Sequence, residues 1–176
     1  GLTIGLGRKH SKDWDSRASV TVLICAHNES ERIGACLAAI ADQTYDYSKT
    51  EVIVIDDRSE DHTGEIARSW TDRIPNLRVL QVEKVELACP KKNALSTGMA
   101  EAKGDLILTT DADCKPAPGW IASTVASFSE KDTGVVIGPA PLTGQNGRIS
   151  PLLVFQGLLV NALAAGSAGI GIPLTC

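Results

Sequence analysis

The sequence predicts a one-domain α/β protein in which helices flank a mostly parallel, Rossmann-like sheet. Its strand candidates are continuous β-branched and apolar runs, such as VTVLIC at 20–25 and EVIVI at 51–55. Such runs indicate strands that are buried on both faces. Segments with apolar residues at helical spacing follow them, so strand and helix alternate along the chain. This alternation is typical of a parallel sheet with right-handed crossover connections.

The composition fits one soluble globular domain and excludes some classes of function. The chain has 176 residues, of which 43% are hydrophobic and 22% are charged, and this is enough for a sizeable core. Its net charge of -4 argues against a nucleic-acid-binding protein, which usually presents a basic face. The 5 cysteines include no Cys-x-x-Cys pair. We therefore expect free thiols in a reducing compartment and no zinc site.

The first half of the chain predicts two strand–helix units and a third strand. Asn28 and Ser30 are candidate N-caps for the helix after the first strand. Ser59, Asp61 and Thr63 form a polar turn at the start of the next helix. In order, the elements are a strand at 20–25, a helix that ends near 43–45, a strand at 51–55, a helix from about 63 and a strand at 77–82.

The second half continues the same alternation. An apolar stripe predicts a helix that Gly104 ends. A short apolar run then leads into Asp111, and Pro116 and Pro118 open the last helix. In order, the elements are a helix at 91–102, a strand at 106–110, a helix that reaches about 128 and a strand at 135–138.

The two ends of the chain do not follow this rhythm. Residues 1–18 are polar and irregular, and we expect a flexible lead-in. Gly5 and Gly7 follow no strand, so they are not a dinucleotide-binding fingerprint. The stretch 152–174 carries no formal charge. We expect a helix at 151–165 that packs on missing parts of the protein, followed by a Gly-rich loop; a membrane-contacting segment is the alternative.

Polar residues follow three of the predicted strands at the edge where open parallel sheets bind ligands. Asn28 and Glu29 follow the first strand, Asp57 closes the second, and Asp111 and Asp113 follow the fourth. A carboxylate at Asp57 can accept a hydrogen bond from a base N–H or a ribose hydroxyl. Taken alone, each cluster also fits a helix cap or a solvated turn.

The carboxylates of Asp111 and Asp113 are spaced to share one divalent cation and its ligand. Mg²⁺ and Mn²⁺ prefer oxygen ligands and often keep positions for substrate phosphates. A cation there would neutralise a diphosphate leaving group, which is the chemistry of transfer from a nucleotide-diphosphate donor. Lys91 and Lys92 stand at the start of a helix, where backbone N–H groups and a lysine suit a phosphate. Simple surface charge is the other interpretation of these lysines.

Four motifs, in order along the chain, resemble those of glycosyltransferase family 2. They are V-T-V-L-I-C-A-H-N-E at 20–29, V-I-V-I-D-D-R-S-E-D-H-T at 52–63, K-K-N-A-L-S-T-G at 91–98 and G-D-L-I-L-T-T-D-A-D at 104–113. The resemblance covers roughly residues 19–140, which is most of the chain.

The resemblance implies a GT-A fold, a UDP- or GDP-sugar donor and a divalent cation, Mn²⁺ or Mg²⁺. It implies a nucleotide-sugar-binding domain at 19–140 and the start of an acceptor-side region at 141–176. The reaction would move a sugar to a sugar or lipid-linked acceptor, usually with inversion and a carboxylate base. The residues implied at the donor are Ala26, Asn28, Glu29 and Asp57 around the base and ribose, Lys91, Asp111 near ribose and phosphate, and Asp113 on the metal, with Asp111 as its second ligand.

The sequence also departs from the family pattern. Ala26 and His27 stand where the family often has Pro and Tyr, and Pro90 stands where a Gly often precedes the lysine. The acidic pair that carries the catalytic base is not found before Cys176. We therefore expect a chain that is truncated on its C-terminal side, with the base beyond Cys176.

Other functions fit the sequence less well. A sugar nucleotidyltransferase needs a Gly-rich loop with Arg after the first strand, and a Rossmann dehydrogenase needs Gly-x-Gly-x-x-Gly there; the segment CAHNES provides neither. A non-catalytic nucleotide-sugar-binding domain stays open as an alternative. Longer family members are often membrane-anchored, so we expect a location in the cytoplasm or at the cytoplasmic face of a membrane, with no nucleic-acid partner.

Overall fold

The computed structural model describes residues 3–7, 18–82, 90–128 and 133–138. The chain divides into two compact units, one of which holds residues 3–136 and the other residues 137–176. The description below concerns the first unit and the last described strand. The helix predicted at 151–165 and the Gly-rich loop after it lie outside the described residues, as do residues 8–17.

Helices and strands alternate as the sequence predicts, and most observed bounds lie within two residues of the predicted ones. The helices are α1 (Ile33–Ala41), α2 (Thr63–Arg68), α3 (Pro90–Glu101) and α4 (Trp120–Ser127), and a short 3-10 turn lies at Tyr47–Lys49. The strands are β1 (Thr3–Gly7), β2 (Val20–Ala26), β3 (Thr50–Asp56), β4 (Leu77–Gln81), β5 (Leu106–Asp111) and β6 (Val135–Gly138).

The strands form one sheet in the order β4-β3-β2-β5-β1-β6. The pairs β4–β3, β3–β2 and β2–β5 are parallel, which confirms the predicted parallel sheet. From β2 the chain builds outwards through β3 to β4 and then returns to place β5 on the other side of β2. The strand order therefore reverses beside β2, and such a reversal opens a crevice beyond the carboxyl ends of the strands.

Strand β1 is a feature that the sequence does not predict. Thr3–Gly7 lies antiparallel to β5, with Ile4 opposite Thr109 and Gly7 opposite Leu106. Its two glycines are poor strand formers in isolation, so a local pattern indicates an irregular segment. Pairing with β5 supplies the backbone partners that the local sequence does not reveal.

Both faces of the parallel strands are covered, as their apolar runs predict. Alternate residues of β2 face opposite sides: Val22 and Ile24 belong to one buried cluster, and Leu23 to another. The first cluster includes buried residues of α1, α2 and α4. The second includes Ala94 of α3. The sheet is thus a rigid layer whose strand ends are held in place from both sides.

The predicted cap of α1 is wrong. The helix begins at Ile33, its N-cap is Arg32, and no side chain caps it. Asn28 instead has a left-handed backbone, with φ 54°, and its Oδ1 accepts a hydrogen bond from the backbone N of Glu60 at 2.8 Å. The loop between β2 and α1 is therefore bound to the loop between β3 and α2, and this contact outweighs the local capping preference.

Across the described ranges, from Thr3 to Gly138, no helix has both the length and the apolar character that a membrane crossing requires.

Candidate functional site

A cavity of about 290 Å³ lies beyond the carboxyl ends of β2, β3 and β5, beside the start of α3. All of the predicted donor-site residues except Asn28 line it. The strands carry them there in register: Cys25 of β2 is level with Asp111 of β5, and Ala26 is level with Asp56 of β3. The lining residues are Cys25, Ala26, His27, Glu29, Asp57, Lys91, Ala94, Asp111, Ala112 and Asp113.

Lys91 and Asp111 form an ion pair across the cavity. Lys91 Nζ donates to Asp111 Oδ1 at 2.8 Å, and this hydrogen bond raises the pKa of the lysine above its usual 10.5. The Lys91 side chain is 73% exposed and that of Asp111 is 30% exposed. An ion pair this exposed contributes little to stability, so the ammonium group can leave the carboxylate for a stronger anion.

Asp113 follows Asp111 on a tight turn. The backbone N of Cys114 donates to the carbonyl oxygen of Asp111 at 3.1 Å, which closes the turn after β5. Ala112 is buried, whereas Asp113 is exposed. The Cys114 thiol lies 3.6 Å from Asp113 Oδ1, and a thiol is a weak donor. The Asp113 carboxylate therefore lies at the cavity with no strong hydrogen-bond partner among the residues that the structure describes.

The acidic side chains at the cavity fit a divalent cation that binds together with a diphosphate. Nowhere in the described ranges do three or more His, Cys, Asp or Glu side chains gather in a group able to hold a metal. Mg²⁺ and Mn²⁺ are commonly bound through one or two carboxylates, with substrate phosphates and water as the other ligands. The side chains of Asp111 and Asp113 can provide two such carboxylates at this cavity.

Asp57 is buried beside the cavity and is paired on one side. Its side chain is 9% exposed, and Oδ1 accepts from Arg58 Nε at 2.7 Å. Its backbone N donates to the carbonyl oxygen of Ala26 at 2.8 Å. His27 Nδ1 lies 2.7 Å from its carbonyl oxygen; because a carbonyl only accepts, this nitrogen carries the proton. The end of β2 thus holds the backbone of Asp57 in place, and Arg58 holds one oxygen of its carboxylate.

Further hydrogen bonds join the two loops next to the cavity. The backbone N of Asn28 donates to Ser59 Oγ at 3.0 Å, and that of Glu29 donates to Thr63 Oγ1 at 2.8 Å. The backbone N of Ser30 donates to Asp61 Oδ2 at 3.1 Å. Asn28 is therefore a bridge between loops in this structure, and its side chain does not line the cavity.

The described cysteines are free thiols, as predicted: Cys25, Cys36 and Cys114. Burial raises the pKa of Cys25 to about 11 and that of Cys36 to about 12. Both thiols therefore stay protonated at neutral pH and are poor nucleophiles and poor metal ligands.

Comparison with known proteins shows the family. A sequence model described as Glycosyl transferase family 2 matches residues 21–157, most of the chain. The chain belongs to this family.

One curated relative is glycosyltransferase AglE of Haloferax volcanii. It is 35% identical over 128 residues, which cover 73% of this chain and 41% of AglE. The chain therefore spans well under two thirds of that relative's length.

Two solved structures show the same architecture. TarS of S. aureus in complex with UDP has a TM-score of 0.60 and 25% identity, over 76% of this chain and 38% of TarS. The mannosyltransferase PcManGT of Pyrobaculum calidifontis, in complex with GDP-Man and Mn²⁺, has a TM-score of 0.55 and 33% identity, over 66% of this chain and 33% of the other. These likenesses confirm the predicted GT-A fold. One of these two structures thus holds a uridine nucleotide and the other a guanosine nucleotide.

Proposed function

We propose that this family-2 domain binds a UDP- or GDP-sugar together with Mn²⁺ or Mg²⁺, as part of a protein that transfers the sugar to a sugar or lipid-linked acceptor. The observation that carries the proposal is the convergence of residues from three strand ends and one helix on a single cavity. The nucleotides in the related structures support it.

The base and ribose fit the side of the cavity that β2 and β3 form. Ala26 has a small side chain that leaves room there, and Asp57 and Glu29 both line the space. Asp57 Oδ1 is engaged by Arg58, which leaves Oδ2 to accept from a base N–H or a ribose hydroxyl. Glu29 is paired with Arg32 at 3.0 Å, on the exposed side of the loop.

The diphosphate fits the side that α3 and β5 form. Lys91 lies in the first turn of α3, where backbone N–H groups and the helix dipole favour an anion. Its ammonium group pairs with Asp111 and is exposed enough to turn to a phosphate oxygen. Asp111 and Asp113 would hold the cation. When bound, it would supply positive charge to the leaving diphosphate.

Inversion at the anomeric carbon and a carboxylate general base in the later, acceptor-side part of the protein stay predictions. So does the location in the cytoplasm or at the cytoplasmic face of a membrane.

Nucleotide binding tests the proposal directly. We expect calorimetric titration with UDP and GDP to show an affinity for at least one that rises on addition of Mn²⁺. In Asp113→Ala the Mn²⁺-dependent gain should disappear, a loss of about tenfold or more. Asp72→Ala removes an exposed carboxylate outside the cavity and should bind like the wild type. Equal binding with and without Mn²⁺ in the wild type would refute the metal assignment.

A non-catalytic domain predicts the same binding, so activity needs a separate measurement. We expect the full-length protein to hydrolyse its donor slowly without an acceptor, and a persistent lack of turnover would favour a nucleotide-sugar sensor.

A further inference from the structure

Arg58 has a backbone conformation that arginine rarely adopts. Its φ is 57°, in the left-handed region, where glycine is favoured because a Cβ clashes with the neighbouring carbonyl. Arg58 directly follows Asp57, at the end of β3. A non-glycine residue in this region needs compensation, and such residues occur often where a site depends on them.

The compensation in this structure is a charged hydrogen bond. Arg58 Nε donates to Asp57 Oδ1 at 2.7 Å, and this bond raises the pKa of the guanidinium group. The left-handed backbone turns the chain so that adjacent side chains meet, which successive residues of an extended strand do not do. Arg58 itself does not line the cavity, and its side chain is 35% exposed.

The pairing leaves the Asp57 carboxylate with one occupied and one available oxygen. Among the described residues, Oδ2 has no hydrogen-bond partner, and Asp57 lines the cavity. The backbone N and O of Asp57 are bound to the end of β2. The bond from Arg58 therefore restrains the two torsions that remain free in this side chain, about the Cα–Cβ and Cβ–Cγ bonds.

We propose that Arg58 is a positioning residue that selects the nucleobase by aiming Asp57 Oδ2 at a ring N–H. This inference rests on the proposed function. An ionised carboxylate only accepts hydrogen bonds, so it favours uracil and guanine, whose rings carry an N–H beside a carbonyl. Cytosine and adenine present an unprotonated ring nitrogen in the corresponding position. Its lone pair repels the carboxylate, and neither group gains a partner.

Two substitutions separate this role from a structural one. Arg58→Gly and Arg58→Asn both remove the guanidinium group, and both residues tolerate a left-handed backbone. If Arg58 serves only the turn, these variants should bind nucleotides as the wild type does, with an unchanged or higher Tm. Arg73→Ala is the matched control, because this arginine lies 4.8 Å from the centre of the Trp70 ring and outside the cavity.

The test is calorimetric titration of the whole chain with UDP, GDP, CDP and ADP at one fixed Mn²⁺ concentration. We expect both Arg58 variants to lose about tenfold in affinity for whichever of UDP or GDP the wild type prefers. Their affinity for CDP and ADP should change much less, so that selectivity falls, while Arg73→Ala keeps the wild-type profile.

Two results would overturn the inference and leave the proposed function intact: unchanged selectivity in both Arg58 variants, or an equal loss for all four nucleotides. A wild type that binds none of the four would instead refute the proposed function, and the inference with it, before any variant is made.

Discussion

At the scale of single residues, the ammonium group of Lys91 offsets part of the negative charge of the carboxylates that line the cavity. Three carboxylates line the part formed by β3 and β5, and Lys91 offsets one of them at 2.8 Å. The hydrogen bond with Asp111 raises the pKa of the lysine, so its charge persists at every pH at which the protein is expected to work. An anionic ligand therefore meets a permanent cation at the start of α3.

The residues of the site were predictable to the extent that strand ends determine them. Asp57, Asp111 and Asp113 follow buried strands, and parallel strands bring such residues to one edge. Arg58 and the loop contacts of Asn28 and His27 were not predictable, because a left-handed backbone and hydrogen bonds between distant loops leave no periodic pattern. One indirect indication of these contacts is present in the sequence: His27 stands where the family often has Tyr, so a different contact could be expected there.

Asp61 gives the loops a measurable dependence on pH. The hydroxyl and backbone N of Thr63 and the backbone N of Ser30 donate to its carboxylate and lower its pKa well below the usual 3.8. The ionised form thus favours the folded state above pH 3.8, and this contribution falls as the pH drops toward the folded pKa. Near pH 6 we expect Asp61→Asn to unfold at a lower urea concentration than the wild type. Below about pH 4 the difference between the two urea midpoints should become smaller.

The Thr63 hydroxyl is the largest cause of this shift. In a Thr63→Val background, we therefore expect the stability difference caused by Asp61→Asn to change less between about pH 6 and pH 4 than it does in the wild-type background. A difference that stays constant from pH 7 to 3 in the wild-type background would contradict the assignment.

At the scale of elements, Gly104 allows the segment between α3 and β5 to pass close to the backbone of β2. A Cβ there would lie 2.7 Å from the carbonyl carbon of Val20 and also against the backbone N of Thr21, and backbone atoms cannot move aside. We expect Gly104→Ala to lower the free energy of unfolding by roughly 2–3 kcal/mol in urea titrations. Gly134→Ala is the control, since a Cβ there meets nothing within 4 Å. Equal effects of the two substitutions would contradict the close approach.

The elements themselves were largely predictable. The apolar runs of β2, β3 and β5 predicted the strand bounds within about two residues, because a continuous apolar run begins and ends with the strand that is buried on both faces. The start of α1 was missed because cross-loop hydrogen bonds displaced the helix to Ile33. Strand β1 was missed because its pairing with β5 spans about a hundred residues of chain.

At the scale of the whole molecule, we expect the protection of backbone amides against hydrogen exchange to decrease from the central strands β2 and β3 to the edge strand β4. Side chains of β2 and β3 are almost all buried, whereas those of β4 are mostly half-buried. Local opening should therefore cost least at β4. We expect hydrogen exchange followed by mass spectrometry to be slowest in peptides from 20–26 and 50–56 and faster in those from 77–81. Uniform rates across the three strands would contradict this order.

The return of β5 to the side of β2 has a consequence for synthesis on the ribosome. Residues up to Gln81 can build β2, β3 and β4 side by side as they emerge, but one wall of the cavity depends on a strand that ends at Asp111. The cavity in a nascent chain is therefore incomplete until that strand has emerged and paired with β2. Under the proposed function, a donor would stabilise only the finished sheet, so its binding would mark the end of folding for this part of the chain.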